Sequence, residues 1–134
     1  MKKFENYRAN LAVLSRADQQ DLENEFIISG IIDKFFLQFE LGWKTLKDLL
    51  AYEGVDAARS GSPREIIKAA FQIYDSLEED TWLTMLAQRN NMAHVYSETA
   101  ARALTDRILT DYIPAFRALE TEILTRYADV LDQL

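Results

Sequence analysis

The chain has 134 residues, with 22 acidic side chains against 15 basic ones, a single histidine and no cysteine. A length of this order fits one domain spanning 1–134, and 49% hydrophobic with 28% charged residues is a globular composition rather than a disordered one. The missing cysteines exclude a disulfide framework, a thiolate nucleophile and a Cys-ligated zinc, and the net charge of −7 argues against a broad electrostatic grip on nucleic acid or anionic membrane.

The N-terminal run Met1-Lys2-Lys3-Phe4-Glu5-Asn6-Tyr7-Arg8 is charged and lacks the apolar core of a signal peptide. Phe4, Tyr7, Leu11, Leu14 and then Leu22 fall at helical steps and define one face of an amphipathic helix. A second and richer helix is expected over Glu23 to Glu53. Ile28, Ile32, Phe35, Phe39, Trp43, Leu46 and Leu50 make one stripe, and Ile27, Ile31, Phe36, Leu41 and Leu49 widen it beyond a single face. Such a helix packs on two sides, either as a central element or at a subunit interface. Its densest part, Phe26 to Trp43, is broken by Asp33, Lys34, Gln38 and Glu40, which excludes a membrane span. The cytoplasm is therefore the expected compartment. Gly30 and Gly42 cost helix propensity, for which close backbone approach is the usual compensation, and Gly54 is a C-terminal stop.

Ser60-Gly61-Ser62-Pro63-Arg64-Glu65 is the clearest break in the chain. Ser62 can cap, Pro63 suits the first helical position, and Glu65 stands where a capping box requires it. Ile66, Ile67, Ala70, Phe71 and Tyr74 then carry a short helix, and another starts near Asp80 with Trp82, Leu83, Met85 and Leu86. From Ser97 onward Ala101, Leu104, Ile108, Tyr112, Phe116, Leu119, Ile123, Tyr127 and Val130 keep one phase through Pro114. That predicts a kinked long helix or two near-collinear ones. No strand alternation, hairpin dipeptide or internal repeat is present. The expected fold is an all-α antiparallel bundle of about five helices.

One segment could carry chemistry. Arg89-Asn90-Asn91-Met92-Ala93-His94-Val95-Tyr96 holds the only histidine, with an arginine five residues before it and a tyrosine two after. On a straight helix five residues turn through about 140°, so Arg89 and His94 would point apart. They converge if the helix ends or turns near Asn90-Asn91, and consecutive asparagines favour such ends. An imidazole that moves protons near neutral pH, beside a guanidinium suited to phosphate oxygens, fits phosphodiester chemistry. No metal is needed: a ribose 2′-OH can attack its own phosphate with His94 as acid or base and Arg89 on the developing charge. The plainer alternative makes His94 a hydrogen-bonded structural residue or a partner of a helix C-terminus, and Tyr96 a packing residue. A second polar set, Asp33, Glu40, Lys44 and Lys47, shares one face of the apolar helix. It is either a solvated stripe with a Glu40–Lys44 pair, or Glu40 and Lys44 line the same cleft as Arg89 and His94.

Three segments together carry a resemblance. Phe39-Glu40-Leu41-Gly42-Trp43-Lys44-Thr45-Leu46-Lys47, then Ser62-Pro63-Arg64-Glu65-Ile66-Ile67-Lys68-Ala69-Ala70-Phe71, then Arg89-Asn90 with His94-x-Tyr96, occur in order and at fitting gaps. In these the chain, over about Phe4 to Tyr127, resembles the nucleotidyltransferase substrate-binding protein family of the HEPN superfamily of small helical bundles. Gly42 departs from that pattern, where Ala is more usual. The resemblance implies a HEPN-like homodimer partnered by a separate minimal nucleotidyltransferase that uses ATP and Mg²⁺, with no cofactor bound directly by this chain. It further implies a metal-independent ribonuclease acting on RNA, of toxin–antitoxin type. Arg89 and His94 would be catalytic, with Asn90 in support, and Tyr96 would accept AMP from the partner. The family name itself implies the alternative of a non-catalytic subunit that presents substrate. No phosphate loop or paired-aspartate signature marks this chain as the nucleotidyltransferase.

Overall fold

The computed structural model describes residues 1–92 and 97–134. Six α-helices are present among them: α1 (Lys2–Leu14), α2 (Glu25–Tyr52), α3 (Pro63–Phe71), α4 (Glu79–Asn90), α5 (Glu98–Arg107) and α6 (Ile113–Arg126). Short 3₁₀ turns lie at Ala17–Gln19, Asp56–Arg59 and Leu131–Gln133. Because α5 and α6 are joined through helical backbone, the bundle amounts to five rods, as the periodicity predicts. None of the described helices is long and apolar enough to cross a membrane.

Phe4, Tyr7, Leu11 and Leu14 are buried on one face of α1. The helix stops at Leu14, so Leu22 lies beyond it in the connection, half-buried, where its carbonyl accepts from Arg102 Nη1 at 3.2 Å. Asn24 begins α2 by accepting from the Phe26 and Ile27 amides, a cap the apolar pattern does not reveal. The helix then runs 28 residues to a stop at Gly54, whose φ of +77° is the left-handed conformation glycine adopts most readily. Along its first stripe every residue is buried except Trp43, which is half-buried.

Pairings across the bundle set the directions. Asn10 Nδ2 donates to Lys34 O, Gln38 Nε2 donates to Tyr7 O, and Lys3 pairs with Asp48, so α1 and α2 run antiparallel. Arg102 meets Leu22, Phe35 stacks on Tyr112, and Tyr52 meets Tyr127 edge-on. Both numbers rise together here, so the C-terminal rod runs alongside α2 in the same direction. The expected antiparallel order therefore holds for α1 against its neighbours but not for α2 against that rod. The intervening α3 and α4 supply the crossover that a parallel neighbour requires.

Ser62 Oγ accepts from the Glu65 amide at 3.3 Å and Pro63 occupies the first turn of α3, as the sequence indicates. The reciprocal half of the capping box is replaced by a Ser62 hydroxyl donating to Glu65 Oε1 at 3.3 Å. In the C-terminal rod the break sits just before Pro114. Pro114 offers no N–H to the Thr110 carbonyl and crowds it. Ile108–Tyr112 widens into a π turn, with the Ile113 amide bonded to Ile108 O, and the helical dihedrals continue on both sides. Phase is kept: Leu104, Ile108, Tyr112, Phe116, Leu119 and Ile123 are all buried.

The two glycines inside α2 differ. A Cβ at Gly42 would stand 2.9 Å from Trp82 Cη2 and 3.2 Å from Tyr7 Cε2, so here the close approach is real. A Cβ at Gly30 would meet nothing within 4 Å, so the expected compensation is missing there among the described residues.

Candidate functional site

Glu40, Trp43 and Lys44 stand at positions i, i+3 and i+4 of α2 and therefore share one face. Across from them, Arg89 lies in the last turn of α4, where a cation complements the helix dipole. The interface between these helices is set by Trp82. It is 1% exposed and seats its six-membered ring over Gly42, tilted against Phe39 at 6.1 Å between centroids. Arg89 follows Trp82 by two helical turns and so leaves α4 on the same side. The missing side chain at Gly42 thus lets α4 settle close enough for Arg89 to reach the residue two before it.

The contact is direct. Arg89 Nε donates to Glu40 Oε1 at 2.8 Å, and the other carboxylate oxygen accepts from the Trp43 indole N–H at 3.0 Å. Lys44 Nζ completes the cluster at 3.8 Å from Glu40 Oε2. Arg89 Nη1 also donates to Asn90 Oδ1 at 3.2 Å. Side chains here stay in touch with solvent: Glu40 is 28% exposed, Arg89 34% and Lys44 49%. At this exposure the Glu40–Lys44 pair is worth a few tenths of a kcal/mol, whereas the shorter guanidinium–carboxylate bond fixes a geometry.

The structure thus brings together Arg89, Asn90, Glu40 and Lys44 of the sequence-predicted residues. His94 and Tyr96 lie outside the described residues. The α4 helix does end at Asn90, with Asn91 at φ −110° and ψ 21° and its side chain donating to Ala87 O at 2.9 Å. The turn that the paired asparagines predict is therefore present. Among the described residues, Asp33 is exposed on α2 and forms no ion pair with the Glu40 cluster, and Lys47, half-buried one turn beyond Lys44, makes no ion pair.

Sequence reasoning placed Trp43 in the core stripe and missed its second role. The signal was available: a buried or half-buried indole N–H needs an acceptor, and Glu40 stands three residues earlier on the same face. Chemically, the cluster is one carboxylate neutralised by two cations, with guanidinium donors left over. Arg89 spends two of its five N–H groups among the described residues. Such an arrangement can receive an anion with several oxygens.

A comparison with curated proteins finds no match. The family model described as "nucleotidyltransferase substrate binding protein like" matches residues 2–125, which takes in every helix from α1 to α5 and all but the last residue of α6. Matched over nearly its whole length, this chain belongs to the nucleotidyltransferase substrate-binding-like family.

Proposed function

We propose that this chain is a HEPN-type subunit working beside a separate minimal nucleotidyltransferase, and that it is a metal-independent ribonuclease of toxin–antitoxin type. The observation that carries this reading is the Arg89 guanidinium, held by Glu40 at 2.8 Å and one-third exposed, at the start of the Arg89-x4-His94-x-Tyr96 segment. In the reaction, a ribose 2′-OH attacks the adjacent phosphorus and the bond to the 5′ oxygen breaks. The products are a 2′,3′-cyclic phosphate and a 5′-OH. His94 moves the proton, and Arg89 stabilises the charge that grows on the phosphoryl oxygens. Two subunits in a homodimer bring two Arg89 and two His94 together, with Lys44 and Lys47 nearby. That concentrates positive charge within an acidic exterior, which the net charge of −7 requires for RNA to bind. The partner, using ATP and Mg²⁺, silences the site by transferring AMP to Tyr96.

Expression of the chain alone is expected to arrest growth, and His94→Ala to relieve the arrest. Sizing is expected near twice 15.5 kDa, and intact mass after co-expression with the nucleotidyltransferase is expected to show AMP on Tyr96. Harmless expression, with tRNA and mRNA left intact at every pH by the purified protein, overturns the ribonuclease reading.

The family description favours a second reading, in which the chain binds substrate and presents it to the nucleotidyltransferase without catalysis. Under it, Arg89→Ala weakens ligand or partner binding while no nuclease assay changes.

A further inference from the structure

We infer that Trp43 is a nucleobase platform, so that the Glu40–Trp43–Arg89 cluster takes a nucleoside monophosphate unit with its base on the indole and its phosphate on Arg89 and Lys44. This deepens the reading of the site as one that handles nucleotides and rests on that reading; it holds whether the nucleotide is a residue of RNA or a presented substrate.

The two indoles are held differently. Trp82 is sealed in the core at 1% exposure, and its N–H has no partner among the described residues. It packs edge-on against Phe116, with centroids 5.6 Å apart, and tilted against Phe39. Trp43 belongs to the same helix stripe as the buried residues of α2 yet stays half-buried, and its N–H is fixed at 3.0 Å from Glu40 Oε2. A half-buried indole anchored by its edge cannot spin about its own axis. Its ring plane is set by the same carboxylate that sets the Arg89 guanidinium at 2.8 Å. One acid therefore orients a flat apolar surface and a phosphate-type donor together, at the short separation that a shared carboxylate imposes.

A base bound to a sugar phosphate presents a π face and an anion within one small unit, and this pair of groups matches it. Stacking on aromatic side chains contributes strongly to such binding and tolerates any base, since every base has a face. The cations are arranged to agree. Lys44 Nζ lies over the Trp43 ring, 5.9 Å from its centroid, and 3.8 Å from Glu40; a base that stacks on that face displaces this loosely held ammonium toward the phosphate. Arg89 keeps N–H groups beyond those given to Glu40 and Asn90, and Glu40 is already neutralised by the two cations. A free indole side chain in a solvated stripe would show none of this shared anchoring.

The test compares AMP, UMP and ribose 5-phosphate by calorimetry on the intact protein, with intrinsic fluorescence in parallel. AMP is expected to bind about tenfold tighter than ribose 5-phosphate, with UMP between them, and to quench emission. Trp43→Leu is expected to bring AMP down to the affinity of ribose 5-phosphate, and Trp43→Phe to restore part of the difference. In both variants the emission of Trp82 reports that the fold is intact, and AMP no longer quenches it. Equal affinity for AMP and ribose 5-phosphate, AMP binding unchanged in Trp43→Leu, or no AMP binding at millimolar concentration each overturns the proposal. The ribonuclease reading fails separately: RNA left intact by the wild type removes it without touching a measured base preference, and RNA cleavage without base preference removes only the platform.

Discussion

Glu40, in the C-terminal half of α2, and Glu53, just past its end, each accept a hydrogen bond from an aromatic side chain. The Trp43 indole lies at 3.0 Å from the first, and the Tyr127 hydroxyl at 2.9 Å from the second. Around Glu53, itself exposed, the two hydroxyl donors are fully used. Tyr127 gives its proton to Glu53 and receives one from Tyr74 at 2.5 Å, and both rings are almost wholly buried. The nearby cation, Arg126, is spent on the face of the Tyr74 ring at 5.2 Å. Around Glu40 the arrangement is open: two cations in touch with solvent converge on one half-buried carboxylate, with donors left over. Hydroxyls whose donors are all used, on rings buried away from solvent, fasten helices together. The same chemistry with surplus donors at the surface has capacity for a ligand. The first network ties the end of α2 to the turn after α3 and to the chain just after α6, and the second is the candidate site.

The largest disturbance removes the packing of α4 on α2, on which the Glu40 region rests and the Glu53 region does not. Trp82→Ala is expected to cost about 3–5 kcal/mol, through the lost burial of a fully enclosed ring and the cavity it leaves. Because Trp82 also places Arg89 opposite Glu40, nucleotide binding is expected to fall with stability. Urea denaturation together with AMP titration at a temperature where the variant is folded measures both. If binding stays at the wild-type level, Arg89 finds Glu40 without the help of the α4 interface.

Tyr127→Phe separates the regions. It strips the buried Tyr74 hydroxyl of its partner and is expected to cost about 1–3 kcal/mol in chemical denaturation, with AMP affinity unchanged. The same network has a signature in pH. Burial, above all, raises the Tyr74 and Tyr127 hydroxyls over their ordinary value of 10, and Glu53 adds to this for both. The sign follows from proton counting. In the unfolded chain these tyrosines ionise near pH 10, while in the folded chain they still hold their protons, so the folded state binds more protons above that pH. The stabilisation is complete below pH 10 and declines as pH rises through the alkaline range. Stability measured from pH 8 to 11 is expected to fall above pH 10, and Tyr127→Phe to flatten that fall. An unchanged slope in the variant would mean that the tyrosines are not the groups being titrated.

How far the sequence carries this contrast depends on range. Helix spans, the stop at Gly54, the Ser62 cap and the end of α4 at Asn90-Asn91 come from neighbours in the chain, and local spacing reveals them. The Glu40–Lys44 pair is visible for the same reason, whereas spacing leaves the convergence of Glu40 with Arg89 as one of two readings of that polar face. The Tyr74–Tyr127 bond is not visible. Both residues read as apolar positions in their stripes, and only the docking of the C-terminal segment on α3 shows that their hydroxyls meet. The parallel run of the C-terminal rod beside α2 is hidden likewise, because periodicity defines a face but not the direction of what covers it. Gly30 shows the opposite failure. Its sequence signal is the same as that of Gly42, yet only Gly42 has a ring against it.

The smallest expected effect on stability is also the sharpest probe of the contrast. Glu40→Gln leaves one carbonyl oxygen where the carboxylate served three donors, so Arg89, Trp43 and Lys44 cannot all be held. With all of these side chains partly exposed, the loss of folding free energy is expected to stay below about 1 kcal/mol. Binding is expected to change in two directions at once. Removing a negative charge beside Arg89 and Lys44 raises the local positive potential, so inorganic phosphate and ribose 5-phosphate bind severalfold tighter. Releasing the Trp43 N–H lets the ring turn, so the advantage of AMP over ribose 5-phosphate shrinks. Glutamine differs from glutamate by little but its charge, which makes a steric cause for either change hard to sustain. Measured together by denaturation and calorimetry, a large loss of stability with an intact AMP preference would make Glu40 a fastening of the Glu53 kind. A small loss, with tighter phosphate binding and a weakened base preference, is what an open site organised by one carboxylate requires.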